Sequence, residues 1–405
     1  MELKSIYKCV IGLDVHQAQI TVCVINEDEN GNVRIVHRQF GTFKRDLREL
    51  AQWCASFAAD EVVMESTGIY WKSPYAALER AGIYAKVVNA RHVKQVPGRK
   101  TDINDAQWLA MLGRAGLLRG SFVPKALMRE LRLVSRQRQK LVGELASNKN
   151  RLHKYLTDAG IRLSVVISDI HGKSARLMIK ELIKGSPPEK VIRLATHRFK
   201  ADHQEILRAL EGELTDSHRM VLNLLMEHIE ALETRIATLD AYLLERLHDY
   251  RGILELLQTI PGVDRIGAAM LLVEIGDNMQ VFETADRLAS WAGVCPGNNE
   301  SAGKRKTGRT RKGNPYVRRL LCEFAHAASR TQCAFKNKFQ SLLVRRGRKR
   351  ALIAIAHKML RTIFFIISRG ECYRDNAVDY QEMLVKRNAP RWIRMLKQYG
   401  FIAHT

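Results

Sequence analysis

Four carboxylates in the first 105 residues have the type and spacing for phosphoryl chemistry. Asp14 closes an apolar, strand-like run (IGLDVH), and Glu65 closes another (VVMES) just before Ser-Thr-Gly. Asp102 and Asp105 follow in TDINDAQWLA, three apart, a spacing that a helix would place on one face. In α/β sheets functional side chains gather at the carboxyl ends of strands, where Asp14 and Glu65 are expected. Crowded carboxylates repel by up to about 4 kcal/mol per pair at roughly 4 Å, so a cluster implies a bound cation or raised pKa values. Oxygen donors alone favour Mg²⁺, with Mn²⁺ as the second candidate. Two such ions could clamp the attacking and leaving oxygens of a phosphodiester. Taken singly, each carboxylate has an ordinary reading: Asp105 on a solvated helix face, Asp102 as a helix cap. The combination is what points to a nuclease. His16, two residues after Asp14, reads as a wall of that site rather than a ligand.

A second candidate lies far along the chain. Ser301 sits in GVCPGNNESAGKRKTGR, between Gly297 and Gly303, and Lys304, Arg305, Lys306, Arg309, Arg311 and Lys312 follow closely. Arg318 and Arg319 open the next apolar segment. A serine hydroxyl attacks poorly unless a base, a metal or local positive charge assists it. A cationic loop also stabilises charge on a pentacovalent phosphate. By composition alone Ser301 reads as a turn hydroxyl before it reads as a nucleophile. The basic cluster reads as a phosphate-binding surface whatever the serine does.

The elements that must position these residues follow from periodicity. Residues 7–14, 18–26 and 33–40 are β-branched runs split by polar turns, which predicts a three-stranded antiparallel meander. FKRDLRELAQWCASFA places Phe43, Leu47, Leu50, Ala51 and Cys54 at helical spacing. A strand (EVVMES), a helix (YWKSPYAALERAG), a strand (YAKVVN) and a helix from Asp102 come next, an α/β sandwich order. From about residue 126 the strand signals fade into a long basic helix. Residues 216–250 then give Leu225, His228, Leu232, Ile236, Leu239, Leu243 and Leu247, a coiled-coil or helical-hairpin seam. LLQTIPGVDRIGAAMLLVEIGD resembles a helix-hairpin-helix, whose Pro-Gly-Val turn could offer backbone N–H groups to a phosphate. The expected fold is therefore α/β plus all-α. A ribonuclease-H-like domain over 1–125 precedes a basic helical and coiled-coil region over 126–250. A serine-bearing helical domain over 251–345 and a helical extension over 346–405 complete the chain.

Charge supports the nucleic-acid reading. The chain has 405 residues and a formal net charge of +24. Residues 126–200 carry a net +11, residues 201–300 a net −11, and residues 301–350 a net +15 with a single acidic residue. Two basic blocks around an acidic one suggest two polyanion-binding surfaces joined by an assembly region. Composition excludes collagen-like, mucin-like and wholly disordered chains. The seven cysteines are scattered without a C-x-x-C pair, which points to a reduced compartment. No signal-peptide core opens the sequence, and the apolar stretch LIAIAHKMLRTIFFIIS is broken by His357, Lys358 and Arg361, so no membrane association is expected.

IGLDVH, VVMESTGIYW and K-T-D-x-x-D-A together resemble the RuvC-like domain of a family of bacterial insertion-sequence transposases with a DEDD tetrad. IPGVDRIGAAMLL, LASWAGVCPG, ESAGK and GRTRKGNPYVRRLL are similar to that family's C-terminal domain, which carries a conserved serine. The resemblance covers about the first 125 residues and roughly 250–330. It implies that Asp14, Glu65, Asp102 and Asp105 hold Mg²⁺ at the scissile phosphate, and that Ser301 forms a transient phosphoserine link to DNA. It further implies a structured guide (bridge) RNA, and an active site whose two domains come from different protomers of a dimer or of a tetramer in synapsis. The setting it implies is the bacterial cytoplasm, at the nucleoid. The chain departs from the expected pattern in having Ser301-Ala302-Gly303 where a Ser-Gly pair is anticipated. Two other readings stand beside this one: a RuvC-type endonuclease that uses metal-activated water, and a non-catalytic nucleic-acid-binding assembly protein.

Overall fold

The computed structural model describes residues 5–402 apart from 67, 91–92, 94–103, 196–198, 298, 302–303, 308–309, 311 and 376–379; for 299–301, 304–307 and 380–384 only the backbone is described. The chain forms two compact units, residues 1–126 and 127–405.

The first unit is built on β1 (Cys9–Val15), β2 (Gln19–Glu27), β3 (Val33–Gly41), β4 (Glu61–Glu65) and β5 (Ala85–Val88). These form one sheet in the order β3-β2-β1-β4-β5. The first three strands are the expected antiparallel meander, and β4 and β5 run parallel to β1. This is the ribonuclease-H-like α/β arrangement anticipated from the sequence. Alternation along β1 explains the layering. Cys9, Ile11, Leu13 and Val15 join a core with α1 (Lys44–Ala55) and α2 (Lys72–Arg80). Val10, with Cys23, Ile25 and Val63, faces α3 (Asp105–Arg114) through Ala106, Leu109, Ala110 and Leu112. The edge strand β3 is largely exposed, and Arg34 and Arg38 on it discourage further pairing.

Gly12 sets how closely α3 lies on β1. A Cβ there would stand 2.2 Å from the Ala106 carbonyl oxygen and 2.6 Å from the Ala110 nitrogen. At the other end of α3, a Cβ on Gly113 would meet Val63 and Val10. The helix thus runs antiparallel to β1, with its N-terminus over the strand's carboxyl end.

Among the described residues, the regular structure of the second unit is helical apart from a small hairpin. Its spine is α4 (Ala126–Asp158) packed antiparallel on α7 (Asp216–Arg246): Leu141 meets Leu232 and Ile236, while Leu152 and Leu156 join Leu222, Met226 and Ile229. Between them in sequence, α5 (Lys173–Ile183) and α6 (His203–Leu210) pack on the same core. Bidentate Arg176–Glu233 bonds of 2.6 Å and a 2.9 Å Lys149–Glu233 pair line the seam. Hydrogen bonds from Arg176, helped by Lys149, hold the Glu233 carboxyl down at about 2.

The seam on α7 differs from expectation. Leu232, Ile236, Leu243 and Leu247 are buried, but Leu225 is only half-buried and His228 is exposed. The buried stripe begins instead at Leu222 and passes through Met226 and Ile229, because α4 approaches from that side.

The rest comprises α8 (Arg251–Gln258), α9 (Arg265–Ile275), α10 (Ala285–Ala292), strands β6 (Asn299–Ser301) and β7 (Lys304–Thr307), α11 (Pro315–Ala328), α12 (Ala334–Arg346), α13 (Arg348–Arg369) and α14 (Tyr380–Gln398). By length and composition α13 could cross a membrane. Here it packs against α8, α10, α11 and α12, and buries Ala351, Ile355, Met359, Leu360 and Ile363 among them. All seven cysteines are free, and burial pushes the Cys23 and Cys54 thiols up to about 12.

Candidate active site

The carboxylates gather at the carboxyl end of the sheet for a reason set by pleat and register. Val10, Gly12 and Asp14 alternate onto the α3 face of β1, and Val63 and Glu65 onto the same face of β4. The parallel register pairs Leu13 with Met64, so one step on stand Asp14 and Glu65, on strands about 4.8 Å apart. The Asp14 side chain is 17% exposed and accepts a hydrogen bond from His16 Nε2 at 3.1 Å. Glu65 is half-buried.

Asp105 is the first residue of α3 and is exposed. Asn104 caps this helix, its Oδ1 accepting from the Gln107 N–H at 2.7 Å, while its Nδ2 lies 3.3 Å from His37 Nδ1 on β3. Asn104 is extended and the helix starts at Asp105, so of the expected helical face over residues 102 to 105 only the Asp105 end falls on described residues. Asp102 itself lies outside the described residues. The positive end of the α3 dipole is directed at this carboxylate end of the sheet, which favours negative charge there. Among the described residues no three His, Cys, Asp or Glu side chains converge tightly enough to hold an ion.

Ser301 belongs to the other unit. It ends β6 and pairs with Lys304 at the start of β7, at the tip of a hairpin whose two connecting residues lie outside the described set. Lys304, Arg305 and Lys306 are on β7, and Arg309 and Arg311 lie outside the described residues. Lys312 is exposed and Arg318 half-buried. Arg319 is exposed, but its guanidinium is engaged by Glu323 Oε1 at 2.9 Å and the Gln139 carbonyl at 3.5 Å.

The helix-hairpin-helix of the sequence is present as α8, a turn and α9. A Cβ on Gly262 would stand 2.6 Å from the Phe324 carbonyl, so the turn is pressed onto α11. The Val263 N–H donates to Ile260, and the Gly267 N–H donates to the Asp264 carboxylate that caps α9. Sequence reasoning also passed over Asn104. Its signal was an Asn directly before an acidic residue and an apolar helix, an ordinary N-cap pattern.

A model of the DEDD-type IS110 transposase family matches residues 11–161, and one described as transposase, IS116/IS110/IS902 family, matches residues 254–340. A probable family 20 transposase of Pseudomonas aeruginosa is 27% identical over 77% of this chain and 85% of that protein. The transposase for insertion sequence element IS1111A of Coxiella burnetii is 25% identical over 91% of this chain and 92% of that protein. Among solved structures, Thermus thermophilus RuvC, alone and in complex with a Holliday junction substrate, aligns at 13% identity with a TM-score of 0.22, over 28% of this chain and 99% of that one. With the DEDD-type match on the unit that carries Asp14 and Glu65 and the second match on the unit that carries Ser301, the chain belongs to the IS110 family of insertion-sequence transposases.

Proposed function

We propose that this transposase cuts and rejoins DNA through a two-part site, the carboxylate end of the sheet and the serine hairpin. Membership of the family implies an enzyme that cleaves and recombines DNA. The observation that carries the finer reading is the placement of Asp14 and Glu65 on neighbouring parallel strands, on one face, beside the first turn of α3.

Asp14, Glu65 and Asp105, with Asp102 from the same segment, are all-oxygen donors that suit a hard divalent cation. When bound, Mg²⁺ or Mn²⁺ supplies Lewis-acid polarisation of the scissile phosphate. His16 holds Asp14 by its Oδ2 and so fixes the carboxylate plane. In the second part, Ser301 Oγ attacks the phosphorus. One P–Oγ bond forms, one P–O bond to a deoxyribose breaks, the hydroxyl proton is lost and the leaving oxygen gains one. Attack by a DNA hydroxyl on the phosphoserine reverses these changes and rejoins the strand without net hydrolysis. Lys304, Arg305, Lys306, Arg309, Arg311 and Lys312, followed by Arg318 and Arg319, bind phosphates around the serine, and this density of positive charge supports the reading. A structured guide RNA would fall to the second basic block, over residues 126–200, less Arg132, Arg136, Arg138, Lys149 and Arg176, which pair with Glu274, Asp240 and Glu233 inside the fold. The two halves of the site being on separate units suits a homo-oligomer in which partners complete each other's site.

The test uses DNA spanning the element's end, the flanking RNA transcript and Mg²⁺, with reactions stopped in denaturant. Wild type is expected to yield protein-linked DNA, absent from Ser301→Ala and from Asp14→Ala. Cleaved ends without linked protein, unchanged in Ser301→Ala, would instead mean a nuclease using water.

A further inference from the structure

Glu274 is a buried charge that neither half of the site accounts for. It stands in the last turn of α9 with no solvent exposure. A carboxylate taken out of water costs several kcal/mol unless it is well paired. Here Arg136 grips both its oxygens, Nε to Oε1 at 2.7 Å and Nη2 to Oε2 at 2.9 Å. Arg132, one turn earlier on α4, lies 3.3 Å from Oε2 and also donates to the Glu274 carbonyl at 2.5 Å. Burial pulls Arg132 down to about 10 against the opposing pull of Glu274, so it stays charged at neutral pH.

The remaining partner is Asn314, whose Nδ2 donates to Glu274 Oε2 at 2.7 Å. Its Oδ1 accepts from the Tyr316 and Val317 amides and caps α11, and the Tyr316 ring lies 4.4 Å under Arg136. The backbone N–H of Asn314 donates to the Trp291 carbonyl at 3.3 Å. Beside it, a Cβ on Gly313 would stand 2.3 Å from the Gly293 nitrogen. Residues 293 and 313 are where the chain enters and leaves the segment that carries Ser301, and Pro296 and Thr310 bridge just above them. Glu274 therefore ties the foot of the serine hairpin to two arginines of the long helix α4.

The distance from foot to tip makes this tie matter. From the Pro296–Thr310 bridge to the Ser301–Lys304 pair is five residues on one side and six on the other, a reach of at most about 17–20 Å. A tilt of roughly 5° at the foot moves the tip by about 1.5 Å over that length. A misplacement of about 1 Å can cost on the order of 100-fold in rate.

We propose that Glu274, acting through Asn314, is a positioning residue that sets the angle of the serine hairpin. The role rests on the reading of Ser301 as the nucleophile, while the anchoring itself can be measured without it. Two variants of the full chain test it. Asn314→Ser keeps a cap for α11 but is too short to reach Glu274. Glu274→Gln removes the charge, and Asn314→Ser keeps the test decisive should Glu274→Gln fail to fold. Hydrogen exchange read by mass spectrometry is expected to speed up in peptides covering 291–297 and 310–314 in both variants. At saturating element-end DNA, covalent adduct should form about 10- to 100-fold more slowly. DNA affinity should stay within about twofold, and the double variant should be no slower than Glu274→Gln alone. Exchange at the hairpin foot equal to wild type in Asn314→Ser would overturn the proposal, as would faster exchange with an unchanged adduct rate. A wild type that cleaves with no adduct overturns the Ser301 reading and with it the catalytic part of this role, and the exchange rates then decide the anchoring.

Discussion

The carboxylates and the serine of the proposed site are positioned by different physics. Asp14 and Glu65 end strands packed on both faces, so their spacing is fixed by the ladder and by α3 seated on Gly12. Ser301 is at the tip of a two-stranded hairpin that is fastened at its foot through Gly313, Asn314 and Glu274. An isolated two-stranded ribbon is marginal in water, so the hairpin depends on its foot and on what it binds. The carboxylates are thus held in place by a core, while the hairpin that carries Ser301 is held at its foot by a few buried polar bonds.

Variants can break or sharpen that contrast. The largest effect is expected at the sheet: Asp14→Asn should lower strand cleavage about a thousandfold, equal to several kcal/mol, while DNA affinity and the unfolding midpoint change little. Cleavage within tenfold of wild type would take Asp14 out of the site. Gly12→Ala comes next. Its Cβ would meet backbone atoms of Ala106 and Ala110, which cannot swing aside, so α3 must shift. Urea unfolding should show a loss of about 1–3 kcal/mol together with reduced cleavage, and unchanged stability would contradict the close seating of α3.

On the hairpin, charge should act on binding before chemistry. Lys304→Ala and Lys306→Ala should each reduce the slope of log affinity against log salt by roughly 0.9 if each lysine neutralises one phosphate of duplex DNA. An unchanged slope would remove these side chains from the interface. The smallest effect is expected at Glu233, whose carboxyl is held at about 2 by Arg176 and Lys149 against an ordinary value of 4.5. Its contribution is complete above the ordinary value and is lost as pH falls from there through about 2. Glu233→Gln should therefore flatten that part of the stability-against-pH curve and leave pH 7 cleavage near wild type. A curve identical to wild type would show that the pair adds nothing to the helical spine.

The first unit was legible because its signals are local. The β-branched runs at residues 7–14, 18–26 and 33–40 became β1, β2 and β3 with ends shifted by only a residue or two. Strand-end placement then brought Asp14 and Glu65 together, since a period of two and a parallel register follow from short-range pattern. What went astray depended on long-range packing. The face of α7 was misread at Leu225 and His228 because its partner, α4, lies more than 60 residues earlier in the chain. The packing of α11 against Gly262 in the Pro-Gly-Val turn comes from residues some 60 positions later. Glu274 carried no signal at all: an acidic residue in an apolar helix has meaning only once Arg132, Arg136 and Asn314 are seen around it.

The most direct measurement of the central claim is to map the point of attachment between protein and DNA. Wild-type protein reacted with element-end DNA, guide transcript and Mg²⁺ would be denatured and digested with protease and nuclease. Mass spectrometry would then locate the nucleotide remnant. The two-part site predicts a remnant on the hairpin peptide at Ser301, absent when Asp14→Asn is used. Cleaved DNA with no modified peptide, or a remnant on any other residue, would contradict it.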